Sequence, residues 1–351
     1  MAEIRKDPIT GRWVIIAVDR SQRPSDFVHN QSVQNDGSCP FCVGAEDKTP
    51  PEIVALRPQD TQANKPGWKV RVVPNKFPAL KIEGELEKHG VGLYDVMHGV
   101  GAHEVIVETP DHSLGMADLE VSNIADILEM YKNRLLDLSK DPRFKYILIF
   151  KNHGYEAGAT LAHTHSQVIA TPVTPINIKS ELHGAREYFL MKDRCLFCDI
   201  IRQELMFGKD RVAIENELFI VLAPFASRFP FEFCILPKKH AHNYTSISEE
   251  EKWALADILK ALLTRMKDVL NDPSYNFILH TSPRAEGPAR PGYWQTLPYD
   301  FHWHIEIIPR LTRTAGFEWG TGFYINPTAP EEAAKYIRQW EIKKKEMNYM
   351  A

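Results

Sequence analysis

Apolar residues recur every three to four positions in two stretches of the chain. Leu255, Ile258, Leu259, Leu262 and Leu263 form one run; Ile124, Ile127, Leu128, Tyr131 and Leu135 form the other. This is the spacing of a helix with one face against a core. Ser248-Glu249-Glu250-Glu251 opens the first run as a capping box, the serine satisfying an early amide while Glu251 reaches back. Asp141-Pro142 and Asp272-Pro273 close the two helices, because the residue before proline is pushed out of the α region. Short apolar runs around them read as strands: H-E-V-I-V-E-T-P-D-H (103–112), F-K-Y-I-L-I-F (144–150), F-E-F-C-I-L-P-K-K-H (231–240) and Y-N-F-I-L-H (275–280). P-E-E-A-A-K-Y-I-R-Q-W (330–340) reads as a closing helix.

These elements repeat. A-D-I-L occurs at 125–128 and 256–259, and Asp-Pro at 141 and 272, both offset by 131 residues. H-T-H-S-Q (163–167) answers to H-W-H-I-E (302–306), and each leads into a strand, Q-V-I-A-T-P and I-E-I-I-P-R. Each half runs C-x-x-C, strand, helix, strand, H-x-H strand. The expectation is an α+β fold of two tandem units, each an antiparallel sheet with helices packed on it. The units are expected at 1–172 and 173–351, with the seam near 173–194 and with residues 1–35 and 311–351 outside the repeat.

Composition narrows the class. The 351 residues are 44% apolar and 25% charged with a net charge of -4, so no basic excess suggests bulk nucleic acid. The start M-A-E-I-R-K-D-P has no apolar stretch of a secretory leader, and no run approaches the ~18 apolar residues of a membrane span. Both features point to the cytoplasm and away from a membrane partner.

Four of the five cysteines form Cys39-Pro-Phe-Cys42 and Cys195-Leu-Phe-Cys198. In a reducing compartment such pairs read as metal ligands or as a redox couple. A histidine recurs with each pair, which a redox role leaves unexplained. Zinc takes four thiolate and imidazole ligands in closed structural sites. The first half offers Cys39, Cys42, His112 and His163; the second offers Cys195, Cys198, His240 and His302. Glu181, His280, His302 and His304 are an alternative second set, suited to iron or zinc. Cys234, in the apolar run F-E-F-C-I-L, reads as an inert core thiol. With His163 tied to a metal, His165 is the free imidazole of the row and the candidate nucleophile.

The row H-T-H-S-Q behind F-K-N-H-G-Y-E-A-G-A-T resembles the active-site segment of galactose-1-phosphate uridylyltransferases, within the histidine-triad superfamily. R-K-D-P-I-T-G-R-W-V near the start, D-R-S-Q-R-P (19–24), V-P-N-K-F-P-A-L (73–80) and G-F-E-W-G-T-G-F-Y-I-N-P (316–327) extend the resemblance over nearly the whole chain. It implies two histidine-triad-like halves, the first catalytic and the second carrying a sugar-contacting tail. It also implies a homodimer with sites completed across subunits. His165 would attack the α-phosphorus of a nucleotide sugar and carry the nucleotide covalently, with ping-pong kinetics. Gln167 would donate its amide to a phosphoryl oxygen, where hydrolases of the superfamily carry a third histidine, so transfer is favoured over hydrolysis. Arg20 and Arg23 match arginines near the substrate phosphates; Asn152, Gly158 and Thr160 match phosphate- and nucleotide-contacting positions. Asn75 matches a nucleoside contact, and Phe317 and Glu318 match the aromatic-Glu pair at the hexose.

The leading expectation is transfer of UMP between UDP-glucose and galactose 1-phosphate. The alternative is an adenylyl-transferring relative such as an ADP-glucose phosphorylase. Ser166, where the best-known uridylyltransferases have glycine, favours the alternative, and Lys76, where their bacterial pattern has an acid, leaves the base open. A histidine-triad nucleotide hydrolase and a zinc-stabilised binding module without catalysis are the further readings. His304 looks like the counterpart of His165, but Glu306 replaces the amide, so the second half reads as a non-catalytic copy.

Overall fold

The computed structural model describes residues 2–17, 39–284 and 294–350, with side chains to residue 340. Strands β1 (Glu3–Lys6) and β2 (Trp13–Ile16) form a hairpin. The first repeat follows: β3 (Val54–Leu56), β4 (Val70–Pro74), a small hairpin of β5 (His89–Val91) and β6 (Tyr94–Val96), then β7 (Ala102–Val107), α1 (Val121–Leu138), β8 (Tyr146–His153) and β9 (His165–Thr171). Helices α2 (Ile176–Lys192) and α3 (Leu196–Met206) lead into the second repeat. It comprises β10 (Val212–Glu215), β11 (Phe219–Leu222), β12 (Phe233–Pro237), α4 (Glu249–Leu270), β13 (Tyr275–His280), the short α5 (Leu297–Asp300) and β14 (His304–Pro309). Helix α6 (Gly316–Thr321), β15 (Tyr324–Asn326) and α7 (Pro330–Met350) close the chain, β15 pairing parallel with β2.

The α+β expectation holds, and the two repeats share one sheet. Its order is β10-β11-β12-β14-β13-β8-β9-β7-β4-β3, so the second five strands mirror the first. At the centre the equivalent strands β8 and β13 pair antiparallel, from Tyr275 opposite His153 to Leu279 opposite Ile149. Self-pairing of equivalent strands produces a pseudo-two-fold between the halves.

The helix-spaced residues do what their pattern requires. Ile124, Ile127, Leu128, Tyr131 and Leu135 of α1, and Leu255, Ile258, Leu259, Leu262 and Leu263 of α4, are all buried in one cluster with Val72, Ile106, Val168, Phe277 and Ile305 of the sheet. Each such side chain contributes roughly 1.5–3 kcal/mol by leaving water. The capping box of α4 forms as expected: Glu251 N–H donates to Ser248 Oγ at 3.2 Å and Ser248 N–H donates to Glu251 Oε2 at 2.8 Å. With both helices on one face, the opposite face is left to the histidine rows.

The seam expected at 173–194 is itself a helix, α2. Its buried residues are Ile178, Glu181, Leu182 and Ala185, a stripe too short and too mixed to stand out in the sequence. Gly184 is required there because a Cβ would meet the Ile9 carbonyl oxygen at 1.7 Å, so the β1–β2 hairpin tip docks on bare helix backbone. No helix among the described residues is long and apolar enough to cross a membrane.

Candidate active site and metal-ligating clusters

Strand alternation separates β9 into two working faces. His165 and Gln167 face away from the helices, beside Phe41, whose ring meets the His165 ring edge-on at 5.4 Å. His163 Nε2–H donates to the Thr109 carbonyl at 2.8 Å, which turns Nδ1 toward the thiols. His165 Nδ1–H donates to the His163 carbonyl at 2.8 Å, so the Nε2 lone pair is the one left free. Burial, with the Lys151 ammonium adding to it, pushes the His165 imidazole down to about 4 and keeps it neutral.

Behind the strand, Thr164 and Ser166 point into the helix side and meet a buried ion pair. Lys151 Nζ donates to Glu108 Oε2 at 2.6 Å, to Thr164 Oγ1 at 2.6 Å and to the His165 carbonyl at 3.1 Å. The Ser166 hydroxyl and Tyr131 OH both donate to Glu108 Oε1. Burial alone would raise the Glu108 carboxyl, but Lys151 and the Ser166 and Thr164 hydroxyls hold it below its ordinary value. This network pins the backbone of His165, and neither Glu108 nor Lys151 was singled out from the sequence.

Two Cys₂His₂ clusters assemble with the residues expected. In the first, Cys39 Sγ lies 3.6 Å from His163 Nδ1 and Cys42 Sγ lies 3.3 Å from His112 Nδ1. In the second, Cys198 Sγ lies 3.5 Å from His240 Nδ1 and 3.6 Å from His302 Nδ1, with Cys195 Sγ at 3.9 Å from His302 Nδ1. All ligand atoms of each cluster lie within 4.8 Å of one another. His302 and His240 donate from Nε2 to the carbonyls of Pro237 and Pro298, both at 2.9 Å. Anchoring one ring nitrogen on a carbonyl while the other faces the ligand centre is the usual support of a metal-bound imidazole. Both clusters therefore fit a closed four-ligand metal ion.

The alternative set is split. His302 belongs to the thiol cluster, and Glu181, His280 and His304 form a separate buried group of three. His280 Nδ1–H donates to Glu181 Oε2 at 3.0 Å, and the His280 and His304 rings stack at 4.6 Å. Burial alone would lower His280, but Glu181 and Glu306 beside it push it up to about 10. This group lines a cavity of about 610 Å³, together with Arg228, Glu232 and Glu306 of the second repeat, Tyr146 of β8 and Ile9 of the β1–β2 hairpin. Cys234 lines it too, its thiol pushed up by burial, in keeping with an inert side chain.

The remaining expected residues are placed as follows. Asn152 Oδ1 accepts from Asn276 Nδ2 of β13 at 3.0 Å, leaving the Asn152 amide hydrogens available. Gly158 has φ +87°, and a Cβ there would lie 3.8 Å from Asn152 Nδ2, so loop and amide are neighbours. Thr160 is exposed just before the histidine row. Asn75 Nδ2 lies 3.2 Å from His103 Nε2, and His103 Nε2 lies 2.9 Å from Gln167 Oε1. Phe317 and Glu318 lie on α6, where Glu318 caps its own helix by accepting from Ala315 N–H at 3.0 Å. Among the described residues neither has a hydrogen bond, ion pair or ring contact with the histidine row. Arg20 and Arg23 lie outside the described residues. His103, Asn276, Phe41, Glu108 and Lys151 are the contributors that sequence reasoning missed; only His103, opening a strand that pairs with β9, carried a visible hint.

Residues 1–175 match the family described as galactose-1-phosphate uridyl transferase, N-terminal domain. Residues 101–350 match one described as a domain of unknown function (DUF4921). The chain is 38% identical to an ADP-glucose phosphorylase of Arabidopsis thaliana over 343 residues, 96% of this chain and 92% of that one. It is 31% identical to a galactose-1-phosphate uridylyltransferase of Thermotoga maritima over 351 residues, 97% of this chain and 99% of that one. Among solved structures it resembles the Arabidopsis thaliana ADP-glucose phosphorylase with bound ADP-glucose, with a TM-score of 0.79, 36% identity and coverage of 97% and 98%. It also resembles a uridylyltransferase, with a TM-score of 0.74, 29% identity and coverage of 98% and 99%.

Proposed function

The chain belongs to the galactose-1-phosphate uridylyltransferase family, and from that premise we propose that it transfers the adenylyl group of ADP-glucose to phosphate. The carrying observation is the His165 imidazole, neutral and buried, with Nδ1 tied to a carbonyl and Nε2 free. The choice of adenine rests on the 38% identity to the ADP-glucose phosphorylase, higher than the 31% to the uridylyltransferase. Ser166, where the best-known uridylyltransferases have glycine, supports it; its hydroxyl donates to Glu108 behind the strand.

In this reading His165 Nε2 attacks the α-phosphorus of ADP-glucose. An N–P bond forms, the bond to the bridging oxygen breaks, and glucose 1-phosphate leaves. Phosphate monoesters have a second pKa near about 6, so the leaving group departs without a proton and the site needs no general acid. Phosphate then attacks the adenylyl-histidine and releases ADP, restoring the neutral ring. The Gln167 amide and the Asn152 amide donate to non-bridging oxygens where charge develops. Gly158 and Thr160 line the phosphate side, Asn75 meets the nucleoside, and Arg20 and Arg23 hold phosphate oxygens in bidentate fashion. Phe317 and Glu318 meet the glucose, supplied by the other subunit of a homodimer.

Residues 1–172 form the catalytic unit and residues 173–351 the second, non-catalytic unit. Zinc is the ion we assign to Cys39, Cys42, His112 and His163, and to Cys195, Cys198, His240 and His302. With four protein ligands it supplies rigidity, holding His163 and hence the carbonyl that orients His165.

The test is to incubate the protein separately with ADP-glucose and UDP-glucose labelled in the α-phosphate and to seek label on the protein. Adenylyl label on His165, abolished in His165→Ala, is expected. Label from UDP-glucose alone would give the uridylyltransferase reading instead, which the Thermotoga maritima relative supports. No label from either sugar would defeat both.

A further inference from the structure

The amide of Gln167 has two chemically opposite ends, and only the NH₂ end can donate to a phosphoryl oxygen. Something must decide which end faces the substrate. His103 is placed to do so. It stands on β7, where Val105 pairs directly with Gln167, so His103 is the diagonal neighbour on the same face and within reach of a long side chain. The Ala79 N–H donates to His103 Nδ1 at 3.1 Å. In a neutral imidazole that fixes the proton on Nε2. Nε2–H then donates to Gln167 Oε1 at 2.9 Å, which turns the NH₂ of Gln167 the other way. Asn75 Nδ2, 3.2 Å from the same ring nitrogen, is also a donor and so is a neighbour there, not a competitor for the proton.

The second half supplies an internal comparison. Phe150 pairs with Gln167 on β9, and Ile278 pairs with Glu306 on β14, so Glu306 holds the place of Gln167. Val105 opposite Gln167 corresponds to Cys234 opposite Glu306, which puts Glu232 in the place of His103. There Arg228 bridges the pair, donating from Nη2 to Glu232 Oε1 at 2.6 Å and to Glu306 Oε2 at 2.8 Å. The side chain two positions after the second histidine of the row is thus held in both halves, directly by His103 in the first and, in the second, through Arg228, which lies before β12 and ties it to Glu232. In the first half the steering group leaves a donor exposed. In the second it leaves two clamped carboxylates.

We propose that His103 is a positioning residue that sets the orientation of the Gln167 amide for nucleotidyl transfer, an inference that rests on the reading of His165 as nucleophile. The test uses the full-length protein and the rate of single-turnover labelling by ADP-glucose, or by UDP-glucose if that is the sugar that labels. Removal of the donor in His103→Phe is expected to slow labelling about 10- to 100-fold, with KM for the sugar nucleotide within about threefold of wild type. The double variant His103→Phe/Gln167→Ala should be no slower than Gln167→Ala alone, since the lost orientation matters only through that amide. His103→Gln, whose amide nitrogen reaches as far as Nε2, should restore most of the rate. His103→Asn, which reaches only as far as Nδ1, should not.

Losses that multiply in the double variant, or a glutamine variant as slow as phenylalanine, would overturn the proposal. Should His103→Phe lose metal or fold, the contrast between glutamine and asparagine carries the decision alone, and equal rates in those two overturn it. A wild-type protein that takes no label defeats the nucleophile reading itself, whereas labelled wild type with an equally fast His103→Phe defeats only the positioning role.

Discussion

At the scale of single residues, the site works by denying side chains their second options. His165 has one nitrogen bound and is held neutral, so acid should reveal the ring only late. Labelling of the protein by its sugar nucleotide is expected to stay nearly constant from about pH 8 to pH 5 and to fall through about pH 4, following the depressed His165 pKa. Stability follows the same sign. An unfolded histidine takes its proton near pH 6.5, so the folded state loses ground as pH drops from 6.5 toward 4. Denaturant titrations at pH 7 and pH 5 should show a larger loss in wild type than in His165→Ala. The Glu108–Lys151 pair behind the strand is a different case. Lys151→Met leaves a carboxylate with no cation in the interior, and a loss of about 3–5 kcal/mol is expected by chemical denaturation. Replacing both partners with apolar residues should cost less.

At the scale of elements, what the sequence disclosed and what it hid have separate causes. The two long helices, the H-x-H rows and the C-x-x-C pairs repeat at fixed spacings within one segment, so they were legible. His103 with Gln167, and Asn152 with Asn276, meet through strand register across β7–β9 and β8–β13, and no period along the chain encodes such pairs. Lys151 sits in the strand run K-Y-I-L-I-F-K-N, where a lysine reads as solvent-facing, yet it is 1% exposed. Helix α2 was hidden because one of its buried positions is an acid, Glu181, serving the histidines and not an apolar core. The hairpin docked on α2 offers an element-scale test. Gly184→Val puts atoms where the Ile9 carbonyl lies, so the β1–β2 hairpin should lift and become a site of early proteolysis, while the metal content stays at wild-type level.

At the scale of the whole molecule, the two Cys₂His₂ clusters belong to halves that share one hydrogen-bonded ladder. Elemental analysis should find two zinc ions per chain, and Cys195→Ser should remove one while labelling of His165 persists, because the first cluster alone holds His163. The strand order places three strand spacings, about 14 Å, between β9 and β14, so the two rows are close without touching. The junction of β8 with β13 has a consequence for the borders of the sheet. Each of these strands covers the backbone donors and acceptors that the other would leave bare, so the ladder ends only at β10 and β3.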